Sequence, residues 1–108
     1  MRLNNLAEIA DIVLLVEIEM RKLGIWEEFM PNDMQSSLPF ACDKLSLQQW
    51  LQWIFIPRVA YYVERNMAFP HVAKIAPYAE EVLVHATFRS EELIRLLERF
   101  DRLVAGDE

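Results

Sequence analysis

Residues 50–58 read WLQWIFIPR, and the fold is decided by what the proline does to an otherwise continuous helical pattern. Ser46 is a favourable N-cap with Gln49 at the third helical position, so a helix starts there. It runs through the quoted stretch to about Glu64 or Arg65. Pro57 has no N–H for the Trp53 carbonyl and its ring crowds that carbonyl, which predicts a kink near 53–57. Trp50, Trp53, Ile54 and Pro57 fall on one helical face, and we expect all four to pack inward. Arg58 then sits beside the kink, with Tyr61, Tyr62 and Tyr78 nearby.

Upstream, Leu6, Ile9, Val13, Val16, Met20 and Leu23 follow a 3-4-3-4-3 spacing, which puts them on one helical stripe. Asn5 and Glu8 have the spacing of a capping box, and Gly24 supplies a left-handed stop. Leu14, Leu15 and Ile18 lie off the stripe. The helix is therefore either central or uses this second apolar side in a homodimer. Residues 25–45 hold Pro31 and Pro39 and read as an irregular connection. Trp26, Phe29, Met30, Met34, Leu38 and Phe40 make it too apolar for a solvated linker, so we expect it to wrap the core and bury them, with a helical turn at 25–29.

Downstream, the chain turns at 66–70, and a third helix is expected from Pro77 to about His85 or Thr87. Ser90 with Glu91 and Glu92 opens a fourth, acids at its positive end. Leu93, Leu96, Leu97, Phe100, Leu103 and Val104 form its buried stripe, and Gly106 ends it. The expectation is an all-α, single-domain four-helix bundle over residues 1–108, with a long packed loop between helices 1 and 2 and a proline-kinked helix 2.

Composition narrows the function classes. With 108 residues and 54% hydrophobic content the chain can fill one core. Two glycines leave no phosphate-cradling loop. No apolar run is long enough to span a bilayer. A lone Cys42 forms no intramolecular disulfide and suits the reducing cytoplasm. The net charge of −6 disfavours direct nucleic-acid binding, which needs basic surface. Between residues 44 and 74, however, Lys44, Arg58, Arg65 and Lys74 face only Glu64, a local charge of +3.

No catalytic, metal or cofactor constellation stands out. Cys42 has no base tied to it and reads as a small buried hydrophobe. His71 and His85 are fourteen apart, without metal-ligand spacing. The acid pairs Glu27-Glu28, Glu80-Glu81 and Glu91-Glu92 diverge by about 100° per residue and read as solvated faces. What remains is a candidate binding site for an anion or peptide at Arg58, Trp50, Trp53, Tyr61, Tyr62 and Tyr78.

Leu38-Pro39-Phe40, the run Trp50 to Arg58, Phe69-Pro70 and Ala76-Pro77-Tyr78 together resemble the YqcC-like family of small bacterial proteins, over about residues 38 to 84. Helices 1 and 4 fit by general pattern. The resemblance implies a four-helix bundle, a bacterial cytoplasmic protein, and a link by gene neighbourhood and naming to a tRNA pseudouridine synthase. It transfers no catalytic residue. The expected function is a non-enzymatic binding or accessory module working through a protein partner such as an RNA-modifying enzyme. The alternative is a small-ligand or weakly catalytic site between the 25–45 loop and the Pro57 kink.

Overall fold

Helix α1, Leu6–Lys22, forms on the spacing read above: Leu6, Ile9, Val13, Val16 and Met20 are buried, joined by Ile12. The computed structural model describes residues 5–69 and 73–106. Helix α1 starts after Asn5 as expected, but without the capping box. Asn5 has helical dihedrals and no capping bond; its Nδ2 instead donates to the Leu103 carbonyl at 3.2 Å. The C-terminus is a Schellman turn: Gly24 at φ +75 donates to the Arg21 carbonyl, and Ile25 N–H reaches the Met20 carbonyl.

The 25–45 connection packs only in part. Trp26, Met34 and Phe40 lie against the core, while Phe29, Met30 and Leu38 are exposed. No helical turn forms at 25–29; the helical element of the loop is a short turn at Pro39–Ala41. Lys44 pairs with Asp33 at 2.9 Å and Ser36 donates to Asp43, which ties the loop to itself. Cys42, expected inside, is exposed: Ala41 takes the buried position in this turn.

Helix α2 opens at Leu47 with the expected capping box between Ser46 and Gln49. It comprises an α-helical turn, Leu47–Trp50, a π-helical turn, Leu51–Phe55, and an α-helical segment, Ile56–Glu64. The irregularity expected at 53–57 is thus a wider turn that begins earlier. Ile56 N–H bonds the Leu51 carbonyl, five residues back. Pro57 then falls in the first turn of the following α segment, where a missing N–H is tolerated.

Helix α3 spans Ile75–Val82, two residues ahead of the expected start at Pro77 and short of His85. The reason lies across the molecule. The Asp101 carboxylate accepts from Ile75 N–H at 3.2 Å and Ala76 N–H at 2.9 Å, so helix α4 caps α3. Helix α4, Glu91–Ala105, buries its expected stripe and ends at Gly106 in the left-handed region. Ser90 has helical dihedrals and makes no side-chain cap. Helix α4 packs between α1 and α3, and α1 also meets the Ile56–Glu64 part of α2. Among the described residues the molecule is all-α, four helices and no strand, within 35 × 28 × 23 Å.

Candidate functional site

The π turn sets the site by turning α2's side chains out of the expected register. Trp50, Ile54 and Arg58, at spacings of four, line a groove of about 530 Å³. Met34, Leu38 and Phe40 of the loop form its other wall. Pro57, expected inside, is exposed. Trp53 does not line this groove: its Nε1 donates instead to the Glu27 carboxylate at 3.1 Å.

Glu27 is a node that the sequence conceals, because beside Glu28 it reads as half of a solvated acid pair. Its N–H donates to Gln52 Oε1 at 2.8 Å and its carbonyl accepts from Gln52 Nε2 at 2.7 Å. Its carboxylate also accepts from Gln49 Nε2 at 3.2 Å. Gln52 is 5% exposed, and its amide pairs with both backbone groups of one residue, accepting from the Glu27 N–H and donating to the Glu27 carbonyl. The start of the loop is therefore pinned to α2 by three side chains, Gln49, Gln52 and Trp53. A lone glutamine between two buried-type tryptophans was the available signal.

The loop's far wall is strained. Phe40 and Ala41 both have positive φ, 58° and 48°, where non-glycine residues cost about 1–3 kcal/mol each. Packing holds them there. The Phe40 ring stacks on Tyr78 at 4.3 Å and meets Trp50 edge-on at 5.0 Å. From Trp50 the ring contacts continue through Phe55, Phe100, Phe69 and Tyr62 to Tyr61. Tyr78, Trp50, Tyr62 and Tyr61 thus belong to one chain of rings that crosses the core, but they do not meet at one site. Burial lifts the Tyr78 phenol above its ordinary value, with Cys42 and Glu81 adding to the effect.

The local positive charge disperses as well. Lys44 is held by Asp33, and Arg65 lies 3.8 Å over the Tyr61 ring. Arg58 is exposed at the groove and, among the described residues, makes no ion pair. The arrangement offers an apolar floor with one cation at its edge, suited to a chain that presents an apolar side chain next to an acid. Of the two histidines, His85 is exposed in the turn after α3, and His71 lies outside the described residues. No helix among the described residues is long and apolar enough to cross a membrane.

A family model described as tRNA pseudouridine synthase C, DUF446, matches residues 8–103, which brings all but the outer two residues of helices α1 and α4 inside the matched span. The protein YqcC of Escherichia coli is 31% identical over 81 residues, 75% of this chain and 74% of its own. A Haemophilus influenzae protein named as uncharacterised is 37% identical over 70 residues, 63% of this chain and 66% of its own. A Pectobacterium carotovorum protein named tRNA pseudouridine synthase C is 30% identical over 57 residues, 51% of this chain but 15% of the relative. The chain's match thus spans about two thirds to three quarters of the two uncharacterised relatives and a small part of the third. The solution NMR structure of E. coli YqcC has the same fold, with a TM-score of 0.81 at 26% identity over 96% of this chain and 91% of that one.

Proposed function

The chain belongs to the YqcC-like family, and from the groove beside α2 we infer that it is a non-enzymatic binding protein that acts beside an RNA-modifying enzyme by holding a segment of it. The observation that carries this reading is the groove itself, with an apolar floor of Trp50, Ile54 and Phe40 and an exposed Arg58. The Pectobacterium relative adds support. There, a segment similar to this chain occupies a small part of a protein that bears the name of a tRNA pseudouridine synthase. A module joined to a larger chain in one species and separate in another is suited to association. In this reading the partner supplies the catalysis and the RNA contacts, since a net charge of −6 opposes phosphate binding. A single cysteine and the bacterial relatives fit a cytoplasmic setting.

Capture from a bacterial lysate with the purified chain, read by mass spectrometry, should recover a tRNA pseudouridine synthase. Arg58→Glu should weaken that association at least about tenfold, since it replaces the groove's cation with an anion facing the partner's acid. Repeated capture of no partner, or an Arg58→Glu chain that behaves like wild type, overturns the reading. Salt-sensitive binding of tRNA by the chain alone also counts against it.

The groove's volume of about 530 Å³ lies in the range of small-molecule sites, which favours a second reading, a small ligand held in the same place. Native mass spectrometry of freshly purified protein should then show a bound small molecule. A bare chain with flat thermal shifts across a metabolite panel removes this second reading.

A further inference from the structure

Helix α1 carries Asp11, Leu15, Ile18 and Lys22 on its outer side, at spacings of four, three and four. All four are exposed, Leu15 at 41% and Ile18 at 47%. At about 100° per residue they fall within an arc of about 60°, so they form one stripe facing away from the core. Leu14, 57% exposed, borders it. Apolar side chains this exposed on a helix otherwise packed on α2 and α4 call for a cover.

The order of the stripe says what covers it. Its spacing reads the same from either end, and its ends carry opposite charges. We propose that the stripe is the contact surface of an antiparallel homodimer, with the two-fold axis midway between residues 16 and 17. In that register Leu15 meets the second copy's Ile18, and Asp11 meets the second copy's Lys22. One symmetry operation satisfies both pairs and their mirror pairs, as an isologous interface requires. A parallel pairing would set Asp11 against Asp11 and Lys22 against Lys22, which like-charge repulsion disfavours.

The charges are available for this use. Among the described residues Asp11 has no ion pair, and the ammonium of Lys22 has only Glu19 at 3.7 Å while its side chain remains 74% exposed. Glu17 and Arg21, which flank the stripe, already neutralise each other at 2.9 Å. Beside Leu14 a shallow groove of about 270 Å³, lined by Val13, Ile56, Ala60 and Val63, is positioned to take a side chain from the second copy. Spacings of four and three are those of helices that pack nearly antiparallel with interlocking side chains.

Sedimentation equilibrium over a concentration series tests the proposal, with circular dichroism melts to confirm that each variant folds. Wild type should dimerise, and Ile18→Glu should be monomeric throughout. Asp11→Lys and Lys22→Asp should each raise the dimer dissociation constant about tenfold, since each breaks two symmetric pairs. The double variant Asp11→Lys/Lys22→Asp should return it to within a few-fold of wild type. A wild-type chain that stays monomeric at the highest concentration overturns the dimer. A double variant as weak as the singles overturns the register and with it the proposal.

Discussion

At the scale of single residues, Gln52 carries more of the site than its neighbours suggest. Leu51 and Phe55 fill the core by area alone, but Gln52 is buried where the backbone N–H and carbonyl of Glu27 need one acceptor and one donor from α2. Gln52→Ala leaves the Glu27 N–H and carbonyl without those partners. We expect a loss of about 1–3 kcal/mol, read as a lower urea midpoint with an unchanged slope. The altered setting of Trp53, no longer held against a fixed Glu27, should appear in its fluorescence. Of the six candidate site residues, Trp50 and Arg58 line one groove, although the sequence placed Trp50 on a face with Trp53, Ile54 and Pro57 and set Arg58 beside the kink. It misplaced Trp53, because a 100° wheel does not foresee the extra residue of a π turn. It misread Glu27 and Cys42 because burial of a loop side chain depends on where the loop crosses the helices, which no local pattern records.

At the scale of elements, two helices are shaped by something outside the usual helix signals. The wider turn at Leu51–Phe55 makes Pro57 a first-turn residue. Pro57→Ala should therefore change stability by less than about 1 kcal/mol, whereas relieving a proline in a helix interior would gain about 3 kcal/mol. A denaturation midpoint distinguishes the two. Helix α3 begins where Asp101 reaches it, so Asp101→Ala should cost about 1 kcal/mol, the usual loss for a cap. Burial raises the Asp101 carboxyl above its ordinary 3.8, against the two N–H donors that lower it and with Glu98 adding to the rise. The folded state then keeps this proton to a higher pH than the unfolded chain. Its contribution is present at low pH and is lost as pH rises from 3.8 through the raised value. In Asp101→Asn that stretch of the stability curve should flatten relative to wild type, measured as urea midpoints across pH. Helices α1 and α4 start where the sequence placed them, after Asn5 and Ser90, while the start of α3 and the way all three starts are capped were the least legible parts of the fold. Asn5 and Ser90 have the residue types of caps but helical dihedrals, and Asp101 caps from a distant helix.

At the scale of the whole molecule, the periodicities of α1 and α4 were enough to foresee a four-helix core, since those stripes are what the two helices bury against each other. The sequence could not show that the two helices are also fastened by a polar contact. Asn5 is 5% exposed, and its side chain donates to a carbonyl 98 residues later in the chain. Asn5→Ala should lower stability by about 1–2 kcal/mol. It should also reduce amide protection in the first turn of α1 and the last turn of α4 together, read by hydrogen exchange. The same contact bears on connectivity. The order in which this chain visits its four helices is separable from the shape they make, because the start of α1 and the last turn of α4 already touch. A chain rejoined end to end through a short linker, and opened instead between the exposed Phe29 and Met30, should reach the same packing.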